Sequence, residues 1–210
     1  MNDFERNVFI NCPFDEEYAP ILQAILFTIV RLGLKPRLAS ESTDGGEVRL
    51  DKIRDLIEAS KFSIHDLSRC ISTRAGEHFR LNMPFELGID YGCRHYFGQG
   101  HHAKRFLILE EKRYRYQAAL SDISGCDIEA HGGDHQKAVK KVRNWLVSNA
   151  GTDNIGAKKI LNDYADFQEW YVEMHLAAGA DEDDIFEYPT SEFLDGMTKW
   201  MEEGRPVTFD

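Results

Sequence analysis

The sequence predicts an α/β protein whose parallel sheet is covered by helices on both faces. Three observations carry that prediction. Short and almost wholly apolar runs recur between residues 7 and 130, as strands buried on both sides require. Stretches with apolar residues at helical spacing alternate with them, which is the pattern of strand–helix–strand units. Clusters of Gly, Pro, Asn and Asp mark the boundaries between the two.

The first strand is Asn7 to Cys12, closed by Pro13, which has no N–H for a sheet ladder. Asp15 follows as a helix cap, and Leu22, Ile25, Leu26, Ile29 and Leu32 recur at helical spacing until Gly33. Lys35 to Ser40 is the second strand, and Ser42-Thr43-Asp44-Gly45-Gly46 a loop. Val48, Ile53, Leu56 and Ile57 then form one face of an amphipathic helix. The third strand is Phe62 to Leu67. A polar loop leads to a helix from about Pro84 to Tyr96. Arg105 to Glu110 is a strong fourth strand, Lys112 to Leu120 is helical or irregular, and Cys126 to Ala130 is a weaker fifth strand. Ala138, Val142, Trp145 and Leu146 give the core face of a closing helix. Right-handed crossovers reduce the topology to a doubly wound, flavodoxin-like, five-stranded arrangement. Gly151-Thr152-Asp153-Asn154 reads as a hinge, dividing residues 1–150 from a helical appendage at 151–210. Two helices are expected there, over about 157–178 and 190–203, with Asp181-Glu182-Asp183-Asp184 between them.

Charge divides the chain at the same place. Residues 151–210 hold 15 Asp/Glu and 4 Lys/Arg, a net of −11, which is the charge of the whole chain; residues 1–150 hold 21 of each. Neither part offers the basic face that nucleic-acid binding needs. The acidic helices read as a solvated module or as a contact surface for another copy or a partner protein. The most apolar run, Ala19 to Leu34, is broken by Gln23, Thr28 and Arg31 and is too short to span a membrane. No secretory signal is seen at the start, and Cys12, Cys70, Cys93 and Cys126 show neither C-x-x-C pairing nor zinc-ligand spacing. The expectation is a cytoplasmic protein with reduced thiols, no metal and no membrane contact.

Candidate site residues cluster at the predicted carboxyl edge of the sheet. Glu86 follows Pro84 on the first turn of the helix after strand three, where the helix dipole favours a negative charge. Open α/β sheets bind ligands at that edge. Asp66 and Ser68 end strand three, either capping or turning the chain into the next loop, or else hydrogen-bonding a sugar hydroxyl or holding Glu86 in place. Asn11, Phe14 and Asp15 lie in the first strand-to-helix loop; Phe14 is either a core aromatic or a platform for a base. Asn82 is read as the cap of the Glu86 helix. Arg69, Arg74 and Arg80 form either a solvated loop or a diphosphate clamp. Neither a P-loop Gly-x-x-x-x-Gly-Lys-Ser/Thr nor a Gly-x-Ser-x-Gly elbow occurs, and no Gly-x-Gly-x-x-Gly follows the first strand, which argues against P-loop NTPases, serine hydrolases and dinucleotide-linked dehydrogenases.

Four segments together resemble a bacterial family of the Toll/interleukin-receptor (TIR)-like and nucleoside 2-deoxyribosyltransferase-like superfamily. They are Val8-Phe9-Ile10-Asn11-Cys12-Pro13-Phe14-Asp15, Ile64-His65-Asp66-Leu67-Ser68, Asn82-Met83-Pro84-Phe85-Glu86-Leu87-Gly88, and Tyr114-Arg115-Tyr116 leading to Ser121 through Ile128. The likeness covers about residues 6–148. It implies a flavodoxin-like fold and cleavage or transfer at N-glycosidic bonds, with Glu86 as the essential residue. It further implies ribose contacts from Asp66 and Ser68, and nucleotide contacts near Phe14 and Asp15. Arg80 and Asn82 join that substrate-binding set. Relatives of this kind serve antiphage defence, with NAD as substrate rather than cofactor, and commonly assemble to complete their sites. Arg80-Leu81-Asn82-Met83 stands where deoxyribosyltransferases usually carry an Asp-Gly or Asp-Ser/Gly-Thr lead-in, which weighs against base exchange.

The leading expectation is therefore nicotinamide release from NAD. The leaving base is already cationic, so a single carboxylate that stabilises an oxocarbenium-like ribose suffices. The rivals are a non-catalytic module that binds a nucleotide signal, and a nucleoside 2-deoxyribosyltransferase.

Overall fold

The computed structural model describes residues 3–41, 44–69, 71–72, 80–118 and 120–208. Five strands, β1 (Asn7–Asn11), β2 (Lys35–Arg37), β3 (Phe62–Asp66), β4 (Arg105–Glu110) and β5 (Ile128–Ala130), form one parallel sheet in the order β2-β1-β3-β4-β5. The helices are α1 (Ala19–Arg31), α2 (Arg49–Glu58), α3 (Asn82–Tyr96) and α4 (His135–Ala150), followed by α5 (Ala157–Ala177), α6 (Glu182–Glu187) and α7 (Thr190–Glu202). This is the flavodoxin-like α/β architecture expected from the sequence.

The two-residue period of the strands sorts side chains between the faces. Val8, Ile10, Phe62, Ile64, Leu107 and Leu109 join the cluster built with α1 and α4. Phe9 points the other way, to Ile53, Leu56 and Ile57 of α2 and Cys93 of α3. The two faces differ in chemistry. The α1/α4 face is continuously apolar along the strands, whereas under α3 the sheet presents Asn11 and His65, both buried, to the buried Asp90.

The C-terminal helices extend the apolar side. Phe27 of α1 lies 5.2 Å from Tyr164, 5.5 Å from Phe167 and 5.7 Å from Trp200, measured between ring centroids. Phe167, Trp170 and Trp200 are buried, and burial of such side chains stabilises by about 1.5–3 kcal/mol each. Arg31 pairs with Asp163 at 2.7 Å, crossing the same seam. Gly196 of α7 sits against the Tyr171 ring so closely that a Cβ there would lie 2.5 Å from Cε2.

Several local expectations are corrected. Helix α3 begins at Asn82, so Pro84 is its third residue and Glu86 its fifth, in the second turn rather than the first. Proline is tolerated there because the first-turn N–H groups have no intrahelical acceptor. The cap residue is Leu81, and the Asn82 side chain bonds to Glu86 instead of capping the helix. Asp15 accepts from the Tyr18 N–H at 3.0 Å, ordering the turn before α1 rather than capping the helix itself. The acidic stretch opens a short helix, α6, which Asp181 and Asp184 secure with a reciprocal capping box. The expected hinge is tied down: Arg143 of α4 donates to the Ile155 carbonyl at 2.6 Å and also bonds Asn154. Cys70, Arg74, Ser42 and Thr43 lie outside the described residues. Cys12, Cys93 and Cys126 are free thiols, and among the described residues no helix is long and apolar enough to cross a membrane.

Candidate functional site

In the strand order β2-β1-β3-β4-β5 successive strands switch from one side of β1 to the other between β1 and β3. The carboxyl ends of those two strands are the crevice where doubly wound sheets hold ligands. Asn11 ends β1, Asp66 ends β3, and α3 descends from this edge with Asn82 and Glu86 in its first two turns.

Asn11 joins the elements. Its side-chain amide donates to the Met83 carbonyl at 2.8 Å and to His65 Nδ1 at 3.0 Å. With Nδ1 as acceptor, His65 carries its proton on Nε2, which faces Asp90 Oδ2 at 3.1 Å. The other Asp90 oxygen lies 3.1 Å from the Lys104 ammonium, which also donates to the Ile57 carbonyl at 2.7 Å and to the Ser60 carbonyl. His65, Asp90 and Lys104 are all fully buried. Burial pushes the Asp90 carboxyl up; the contacts to His65 and then the Lys104 ammonium outweigh it and leave the group below the ordinary aspartate value. This chain of contacts fastens α3 to the sheet one turn below Glu86.

Asp66 is the hub of the opposite side. It accepts from Tyr18 Oη at 2.6 Å, from His131 Nε2 at 3.0 Å, from the Ser68 N–H at 2.9 Å and from Ser68 Oγ. The Gly133 N–H donates to His131 Nδ1 at 3.1 Å, which fixes the Nε2–H tautomer. Burial pushes the Asp66 carboxyl up, but the contacts to His131, then Ser68 and Tyr18, hold it below its ordinary value. A carboxylate has about four acceptor positions, and here the protein itself fills them. Asp66, with Ser68 beside it, locks the β1–α1, β3–α3 and β5–α4 connections together at the rim.

Glu86 differs. Only 6% of it is exposed, and burial pushes its carboxyl above the ordinary glutamate value; the Arg49 charge and a hydrogen bond from Asn82 offset part of that rise. The expectation of a carboxylate held firmly ionised by the helix dipole is corrected, because the second turn lies past the dipole's reach and desolvation dominates. Cys12 is buried near three of these carboxylates. Its thiol is raised by burial and further by the charges of Asp66, Glu86 and Asp15, so it remains protonated and is no nucleophile.

Asp15 holds Arg69 in a two-point pair at 2.8 and 3.1 Å, and Arg80 approaches it at 3.6 Å. Arg69 also meets Glu17 at 3.0 Å, so it is engaged by carboxylates rather than presented to a diphosphate. Arg115 bonds Glu110 at 2.8 Å and the Ser68 carbonyl at 2.6 Å, bracing the neighbouring strand end. Phe14, 43% exposed, lines a cavity of about 390 Å³ beside the crevice, together with residues of the C-terminal helices.

The structure thus brings Asn11, Asp15, Asp66, Ser68, Asn82 and Glu86 to one edge, with Arg80 at its margin and Phe14 facing the adjoining cavity. His131 and the His65–Asp90–Lys104 chain were not anticipated. Their sequence signal is slight: a histidine just past β5, and polar residues inside otherwise apolar segments. Among the described residues no group of His, Cys, Asp and Glu is arranged to hold a metal ion. The chain matches no family model, no curated protein and no solved structure.

Proposed function

We propose that the protein cleaves the N-glycosidic bond between nicotinamide and ribose in a NAD-like dinucleotide, with Glu86 as the group acting on the sugar. The observation that carries this reading is a desolvated glutamate at the β1–β3 crevice, on a helix pinned to both strands. The C1′–N bond breaks and its electron pair leaves with the nicotinamide, which departs neutral. The positive charge left on the ribose is stabilised by the Glu86 carboxylate. Water then adds at C1′ and its proton passes to Glu86. A glutamate with a raised pKa accepts that proton better than an ordinary one. The tight Asp66 network serves as scaffold, and Asn82 orients the Glu86 carboxylate.

Incubation of the full chain with NAD, followed by chromatography for nicotinamide, tests this. Glu86→Gln is expected to raise the barrier by about 3–4 kcal/mol, the scale of a lost transition-state stabiliser. Turnover of that variant at the wild-type rate would overturn the assignment. Saturable nucleotide binding without product at high protein concentration would favour the signal-binding module, and base exchange on a deoxynucleoside would favour the transferase.

A further inference from the structure

The cavity beside the crevice is walled on one side by the β1–α1 loop and on the other by α5, α6 and α7. Its volume, about 390 Å³, falls within the range of small-molecule sites. Four aromatic rings line it: Phe14, Tyr171, Tyr188 and Phe193. Tyr171 and Phe193 stand nearly perpendicular, 5.3 Å between centroids, while His175 packs edge-on against Tyr171 at 4.4 Å and Tyr188 at 4.8 Å.

Two further features say what the cavity accepts. Tyr171 is 4% exposed, and its hydroxyl meets no hydrogen-bond partner among the described residues. A buried polar group left unpaired costs about 1–3 kcal/mol, so an occupant that pairs with it recovers that cost. The formally charged residues that line it are of one sign, although Asp15 is paired with Arg69 outside the lining. Asp15 and Glu16 line it, and no lysine or arginine occurs among its described lining residues. Asp184, Glu192 and Asp181 also bear on Tyr188, whose phenol is raised by burial and then by those charges.

We infer that this cavity binds a small organic ammonium ion carrying a hydrogen-bond acceptor. The cation sits among the rings, and the acceptor takes the proton of the Tyr171 hydroxyl. Aromatic faces attract such cations most strongly when water is excluded. Among the described residues no cationic side chain lines the cavity to receive an anion, and Glu16 keeps a carboxylate at its wall. The cavity shares Asp15 with the crevice edge but is not lined by Glu86, so the inference stands whether or not glycosidic cleavage is found.

Choline and its neutral isostere 3,3-dimethylbutan-1-ol distinguish charge from shape. Calorimetric titration of the full chain should show saturable choline binding, with the neutral alcohol about tenfold weaker or more. Tyr188→Ala should weaken choline by a similar factor, and Tyr188→Phe, which keeps the ring, should retain binding. Tyr171→Phe should weaken choline several-fold and leave tetramethylammonium, which has no acceptor, unaffected. Equal binding of choline and the alcohol would overturn the inference. So would the absence of saturable binding by choline.

Discussion

Burial pushes the carboxyls of two acids at the crevice up alike, but their net shifts run in opposite directions because their partners differ. Asp66 receives hydrogen bonds from Tyr18, Ser68 and His131 and is held low; its stabilising effect is present above about pH 3.9 and fades as pH falls through its folded value. Glu86 has its carboxyl raised by desolvation. Its protonated form is therefore the one the fold prefers. That preference is fully expressed below the unfolded value of about 4.3 and is lost as pH rises through the folded one. At neutral pH the charged carboxylate is a burden on stability. Glu86→Gln is thus expected to melt at a higher temperature than wild type at pH 7, with the gap closing towards pH 4 in calorimetry. A lower melting temperature at pH 7 would show the carboxylate to be structural. The residue type at 86 was legible from its place after strand three; its protonation preference was not, because desolvation depends on neighbours far away in sequence.

At the scale of the element, α3 is held by a chain of buried polar contacts as well as by the apolar packing of Met83, Leu87 and Cys93. Asn11 holds its first turn, and Asp90 holds its middle through His65 and Lys104. Removing one member of a buried ion pair leaves the other uncompensated, at a cost of about 3–5 kcal/mol. Lys104→Met should lose that much in urea denaturation, and Asp90→Leu combined with Lys104→Met should recover a large part of it. Equal stability of the single and double variants would show that the two charges are independent. The existence of α3 was evident from Pro84 as a helix-start signal after strand three, yet its start was placed two residues late. Pro84 was given the first helical position, but any first-turn position tolerates a proline. The ion chain could not be foreseen, since Asn11, His65, Asp90 and Lys104 come together only when β1, β3, α3 and the start of β4 are assembled.

Across the whole molecule, the charge boundary near residue 150 does not coincide with an edge of the core. Sheet, α1, α4, α5 and α7 contribute to one apolar cluster, and Phe27 is enclosed by Tyr164, Phe167 and Trp200. A chain ending at Ala150 would leave Phe27 and its neighbours on α1 facing water. It is expected to lose its cooperative melting transition by circular dichroism, or to melt far below the full chain. An unchanged melting temperature would mean that the C-terminal helices contribute nothing to folding. The strand count and strand–helix alternation were readable from periodicity, and so was the parallel topology. The docking of the acidic helices was not, because their net charge of −11 drew attention to their solvent side while Phe167, Trp170 and Trp200 formed the buried one.

Gly196 connects that docking to the aromatic cavity. Glycine inside a helix costs about 1 kcal/mol relative to alanine, so α7 would hold its own shape better with a methyl group there. The methyl, however, would collide with the Tyr171 ring, and the same ring lines the chamber. One added carbon would thus force that ring to shift and recast a wall of the chamber, changing the room for an occupant it never touches.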